Sequence, residues 1–253
     1  MPDNEKSCFA CCPPIRPKGY EHIQYKNIIK RILRENTSSF VPAKRFITGY
    51  SCWALGYLDR RFKLVGCLLH PARNNGVDLR YLTGYGDKCR REYCLEAKIF
   101  SELNYKTKMF LLSFSEGMDS FLYSSRTRNP LFRLLRWGKY ILELISEEEP
   151  GKISLTQLNQ RYPFLKVRMN PRAVAYLVKE VLKKGHIPDE EEVRASLLKA
   201  KTLAKHISCC SEMYTHLLPM DRDFLDFVRL GLGIKKIGYE EAMSLKVNIS
   251  SYL

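Results

Sequence analysis

Seven of the chain's nine cysteines fall within its first 94 residues, and their spacing constrains the fold more than any other feature. The stretch from Cys52 to Cys94 reads C-W-A-L-G-Y-L-D, then V-G-C-L-L-H-P-A-R-N-N-G, then G-Y-G-D-K-C-R-R-E-Y-C. It places Cys52, Cys67, His70, Cys89 and Cys94 among glycines and arginines. A second knot upstream, C-F-A-C-C-P-P, contributes Cys8, Cys11 and Cys12. Residues 41–94 also carry many turn signals, such as Asn74-Asn75-Gly76. A segment with many thiols, many turns and no long element is expected to be loop-rich and tied together by metal.

The compartment decides between disulfide and metal. The N-terminus, M-P-D-N-E-K-S-C, has no apolar signal core, and no run of about 18 apolar residues exists to span a membrane. The chain therefore reads as cytoplasmic, where thiols stay reduced. Metal ligation or thiol chemistry is the expectation. Cys8-x2-Cys11 lets two thiolates converge on one metal. Cys12 is adjacent to Cys11, so it serves a second centre, a different cluster iron, or nothing. Pro13, Pro14 and Pro17 predict an extended loop, and Cys-Pro pairs recur in iron–sulfur proteins. Cys67-x2-His70 has ligand spacing, although a lone histidine is more often a structural hydrogen-bonder. Cys89-x4-Cys94 is placed to straddle a helix start.

The candidate ligands are thus Cys8, Cys11, Cys12, Cys52, Cys67, His70, Cys89 and Cys94. Zinc needs four in a closed tetrahedron, and an iron–sulfur cluster needs four, usually all cysteine. Seven thiols and one imidazole suffice for two such sites, or for one site plus redox thiols. Arg73, Arg80, Lys88, Arg90 and Arg91 supply nearby positive charge, which favours thiolates. Asp59, Asp78 and Asp87 lie in the same segment, where turn capping is their expected role.

The rest of the chain is patterned for helix, so the fold class is mainly α: a cysteine-rich metal-binding region, 1–94, followed by a helical domain, 95–253. Ile28, Ile29, Ile32 and Leu33 mark the apolar face of a basic helix within 21–40. Helices are expected from about 92, over Lys106–Tyr123, and over Asn129–Glu148, where Asn129-Pro130 is a good cap pair. Ser154 caps a short helix ending before Pro163, and Asn170-Pro171 opens another that Gly185 closes. This 129–187 unit resembles a helix-turn-helix core with 170–184 in the recognition position. Arg172, Lys179, Lys183 and Lys184 are its candidate phosphate contacts; the alternative is a plain helical hairpin. Asp189-Glu190-Glu191-Glu192 starts a helix with the stripe Val193, Leu197, Ala200, Ala204 and Ile207. Cys209 and Cys210 read as packing residues. Asp221–Leu232 and Tyr239–Lys246 close the bundle.

The order CxxCC-P, C-x-x-L-x-x-L-D, G-C-x-L-H-P and C-R resembles the zinc- or iron-chelating CxxCxxCC proteins. The matching elements are Cys8, Cys11 and Cys12, then Cys52, then Cys67 with Pro71, then Cys89 with Arg90. The likeness covers roughly residues 8–94. Asp3, Asn4, Glu5 and Lys6 stand where that pattern has a further cysteine, and the intervals are long. A more distant likeness is to flagellin lysine N-methylases, and it implies an iron–sulfur-dependent modifying enzyme.

Three functions remain. The first is a metal-binding protein holding an iron–sulfur cluster or zinc, with a redox or protein-modifying role. The second is a nucleic-acid-binding protein with a structural zinc and basic helices. The third is a thiol redox protein using Cys8-x2-Cys11, which needs a depressed thiol pKa. A net charge of +15 favours an anionic partner, protein or nucleic acid. No P-loop, G-x-S-x-G or H-E-x-x-H is present, so whether the chain is an enzyme is open.

Overall fold

The computed structural model describes residues 5–12, 23–48, 52–91, 94–149, 151–205 and 213–253. It is 56% helical with 4% strand, so the fold is mainly α. The helices are α1 (Lys26–Ser38), α2 (Gly86–Arg91), α3 (Leu95–Glu102), α4 (Tyr105–Ser113), α5 (Ser120–Tyr123), α6 (Leu131–Leu134), α7 (Lys139–Glu148), α8 (Leu155–Arg161), α9 (Ala175–Leu182), α10 (Glu190–Ala204), α11 (Arg222–Asp226) and α12 (Tyr239–Tyr252). Two short strands, β1 (Leu55–Tyr57) and β2 (Val65–Cys67), pair antiparallel. Among the described residues, no helix is long and apolar enough to cross a membrane.

The chain forms two compact units, one of Met1–Glu102 with Leu111–Phe132, the other of Leu103–Phe110 with Arg133–Leu253. The limit expected at residue 94 falls inside the first unit, and the 129–187 segment is divided between both. The reason is α5: Phe121 joins the N-terminal core beside Phe9, with ring centroids 5.4 Å apart.

In the first unit, α1 packs against the hairpin. Ile29 and Leu33 are buried, but Ile28, expected on the same face, is 54% exposed. The stripe that meets β1 is narrow, and Asn36 and Thr37 complete it. Thr37 Oγ1 accepts the Tyr57 N–H at 2.8 Å, and Asn36 Nδ2 donates to the Leu55 carbonyl at 2.9 Å. Gly56 permits this approach, because a Cβ there would stand 2.7 Å from Thr37 Oγ1. The pairs are Leu55 with Cys67, Gly56 with Gly66 and Tyr57 with Val65. Bonds from Leu58 N–H to Leu64 O and from Leu68 N–H to Ala54 O leave Tyr57–Val65 a non-bonded pair. Val65 therefore turns its N–H and C=O away from β1. Both meet Ser7, whose Oγ donates to Val65 O at 2.7 Å and accepts from Val65 N at 2.6 Å. Ser120 Oγ of α5 donates to Lys63 O at 2.5 Å and accepts from Ser7 N at 3.1 Å. Buried serines thus tie the Cys8 loop, the hairpin and α5 into one body.

In the second unit, the helix expected over Asn129–Glu148 is broken. Gly138, at φ 86°, separates a helical turn ending at Trp137 from α7. A left-handed residue cannot continue a right-handed helix. The helix expected over Lys106–Tyr123 is likewise split, with Gly117 at φ 74° between α4 and α5. Ser154 caps α8 as expected, in a capping box with Gln157. Asp189 does the same for α10 with Glu192, and Val193, Leu197 and Ala200 form its buried stripe. Trp137 packs edge-on to Phe164, and Tyr176 to Phe224, giving this unit an aromatic core. Ile207, Cys209, Cys210, Pro13, Pro14 and Pro17 lie outside the described residues.

Candidate metal centre

Five short stretches of the first unit carry its thiols, and each is held by backbone geometry. Cys8, Cys11 and Cys12 occupy a turn in which Cys12 N–H donates to Phe9 O at 2.9 Å. Cys52 opens the turn into β1, and its carbonyl accepts from Asn36 Nδ2 at 3.2 Å. Cys67 ends β2 opposite Leu55. Cys89 sits within α2, its N–H bonded to Tyr85 O at 2.8 Å. Cys94 immediately precedes α3, and its carbonyl accepts from Ala97 N–H at 3.0 Å.

Six of these seven residues, Cys8, Cys11, Cys12, Cys52, Cys67 and Cys89, line a single cavity of about 370 Å³. Cys94 lies outside that lining but close to Cys11, whose thiol it perturbs together with Cys12. All seven are free thiols. Neighbouring charges sort them into two groups, with Cys8, Cys11 and Cys94 acting on one another, and Cys52, Cys67 and Cys89 likewise. Cys89 and Cys11 link the groups. Cysteines up to 81 positions apart in sequence, Cys8 and Cys89, thus line one cavity.

Burial sets the electrostatics. It pushes the Cys8 thiol up to about 11 and Cys52 up to about 12. It also raises Cys67 and Cys89, while Cys11 is raised chiefly by its hydrogen bond to Cys12 and Cys94 by its bond to Cys11. A Cys8–Cys11 redox pair needs a depressed pKa, whereas both thiols are raised, Cys8 by burial and Cys11 chiefly by Cys12. A cation in the cavity reverses that balance, since a coordinating thiol is deprotonated outright.

Comparison with protein-family models, curated proteins and solved structures finds no match to this chain.

Among the described residues, no three histidine, cysteine or acidic side chains converge closely enough to hold a single ion. Tetrahedral zinc with bonds of about 2.3 Å requires sulfurs about 3.8 Å apart. The thiols here stand around a wall instead of meeting at a point.

His70 lines the cavity, but its Nδ1 accepts the Ala72 N–H at 3.2 Å and caps a short 3₁₀ turn, Pro71–Arg73. Burial and then Arg80 lower its pKa, which keeps the imidazole neutral. Arg80 and Lys88 bring positive charge to the same wall. Arg80 is fixed by Asp78, which accepts from its Nε at 2.8 Å and from a terminal nitrogen at 2.7 Å. It also donates to Cys89 O at 3.2 Å, and its charge lowers the pKa of Cys67 and Cys89 against the effect of burial. Thr83 lines the cavity with Cys89, its hydroxyl donating to Arg80 O at 2.8 Å. That position had no sequence signal, and neither did the serine pins. Asp59 caps the hairpin turn as expected, whereas Asp87 lies in the first turn of α2 and pairs with Arg90. The Arg91 side chain lies outside what is described.

Of the four nucleic-acid candidates of the second unit, three are paired with acids. Arg172 makes a bidentate pair with Asp226, with bonds of 2.7 to 2.9 Å. Lys179, only 13% exposed, lies 2.8 Å from Asp221 and 3.4 Å from Asp223. Lys183 pairs with Glu180, and Lys184 is exposed. Helix α9 buries Ala175, Tyr176, Leu177, Val178 and Leu182, so its apolar majority is core.

Proposed function

We propose that the first unit is a metal-binding domain whose thiolates hold an iron–sulfur cluster or a polynuclear zinc centre. One observation carries this reading: six cysteines from four separate stretches line one cavity, and a seventh, Cys94, lies close to Cys11. Random packing rarely collects so many reduced thiols around an open space, because thiols pack well as small apolar groups in the absence of a cavity. The number and softness of the donors fit zinc or iron. Their spread around the wall favours a core of several atoms over one ion. Cys8, Cys11, Cys12, Cys52, Cys67, Cys89 and Cys94 supply the donors, and His70 is a structural cap. Such a centre supplies electron transfer if it is an iron–sulfur cluster and a rigid staple if it is zinc. Arg80, held by Asp78, offsets the negative charge that several thiolates create. A reducing compartment keeps these thiols available.

The test is the iron, zinc and acid-labile sulfide content of protein purified without oxygen, together with its visible spectrum. Iron with sulfide, or zinc above one equivalent, supports the centre, and Cys67→Ser then lowers metal content and the melting temperature. Metal-free folded protein, or unchanged metal content and melting in Cys67→Ser, overturns it.

A further inference from the structure

The turn between β1 and β2 carries a feature that the cysteine site does not use. Its sequence is Asp59-Arg60-Arg61-Phe62-Lys63, and Phe62 has φ 56°. That left-handed conformation suits glycine or asparagine, and a bulky side chain there is a true outlier. The turn itself does not need phenylalanine. The strain is retained together with an aromatic ring that is 49% exposed.

The ring is held firmly. Tyr57 meets it edge-on, with centroids 5.0 Å apart, and the Arg34 guanidinium carbon lies 5.4 Å from its centroid. The cations around it are exposed: Arg60, Arg61, Lys63 and Arg34. Among the described residues, no carboxylate forms an ion pair with any of these four. Asp59, which opens the turn, spends its carboxylate on the backbone N–H groups of Arg61, Lys63 and Leu64, at 3.1, 2.9 and 2.7 Å. The turn is therefore built by an acid that does not neutralise its arginines. Ser120 and Ser7 then pin Lys63 and Val65 to the unit's core.

We propose that this hairpin tip binds single-stranded nucleic acid, with Phe62 stacking on a base and Arg60, Arg61 and Lys63 meeting phosphates. A flat ring amid unpaired cations is the arrangement that recognises an unstacked base on a charged backbone. Guanidinium groups match phosphate in geometry as well as charge. A lipid surface is served less well, because the tip offers one aromatic ring and no exposed aliphatic neighbour between Asp59 and Lys63. The inference does not depend on the metal reading.

Fluorescence anisotropy of the full chain, with labelled single-stranded RNA and DNA oligonucleotides, tests it. Binding is expected at low salt and should weaken linearly in a log–log plot against salt. Replacing Arg60, Arg61 and Lys63 together by alanine should flatten that slope by about 2, since each phosphate contact on a single strand contributes about 0.7. Phe62→Gly should weaken binding roughly five- to a hundred-fold, while the melting temperature holds or rises as the strain is released. Phe62→Tyr should retain binding. No binding at low salt overturns the proposal, as does an unchanged slope in the triple variant or full affinity in Phe62→Gly. A preference for phosphatidylserine vesicles over oligonucleotide overturns it in favour of a membrane surface.

Discussion

Ser7→Ala is expected to be among the most damaging small substitutions in the first unit. Its hydroxyl serves both the N–H and the C=O of Val65, groups that β1 does not reach. Ser7 is 7% exposed and Val65 1%, so water replaces the hydroxyl poorly. A buried polar group left unsatisfied costs about 1–3 kcal/mol. Two such groups, with some relaxation of the hairpin edge, give about 2–4 kcal/mol. For a unit of this size, about 4 °C of melting temperature follows each kcal/mol, so the expected shift is about 8–16 °C. Differential scanning calorimetry should show this loss in one transition, with the second unit's transition unmoved. On the metal reading proposed above, metal retention should fall in parallel, because Cys8 follows Ser7 directly. Ser251→Ala, which removes an exposed hydroxyl bonded to Asn248 O, is the control and should shift nothing. A shift in Ser7→Ala no larger than the control's would refute the claim that the serine closes the hairpin edge.

Three further expectations follow from the same physics. Gly138→Ala should destabilise the second unit by about 1–2 kcal/mol, because φ 86° is strained for any residue with a Cβ; urea denaturation measures it. Arg172→Met should cost about 2–4 kcal/mol, because Asp226 is then left charged, uncompensated by its bidentate partner and 14% exposed; Arg229 still contacts that carboxylate and holds the loss towards the lower end. Asp78, hydrogen-bonded to Arg80, is held down to about 2. A depressed carboxylate stabilises the fold above its unfolded pKa, so its contribution is complete above about pH 4 and fades as pH falls towards 2. Solvent screening limits it to roughly 1 kcal/mol. Asp78→Asn should flatten the acid limb of the first unit's stability by that amount, as followed by melting between pH 2 and 5.

Several of these sites had no visible signal in the chain. The basic residues Arg172 and Lys179 looked like a phosphate-binding face on helical spacing alone. Asp226, Asp221 and Asp223, about 50 residues later, neutralise them in space. Charge spacing along one helix carries no information about the element that packs on it. Gly138 occupies a helix-interior position by pattern, because the apolar residues on either side are continuous, and pattern does not encode the sign of φ. Phe62 raised no flag for the same reason, since its neighbours specify a turn without specifying which residue takes the left-handed position.

What the sequence determined by itself is local. Composition and helical periodicity foretold a mainly α chain, and single-residue chemistry foretold the cap at Ser154 and the acidic helix start at Asp189–Glu192, because both act within one turn. The thiol count, too, was there to read, along with the expectation that the thiols would gather. Tertiary structure decided which of them face one cavity, that His70 turns to cap its own 3₁₀ turn, and that α5 returns to complete the N-terminal core. Those outcomes depend on contacts between residues far apart in the chain. Their energies come from burial and from satisfying polar groups in three dimensions, which no spacing along one segment records.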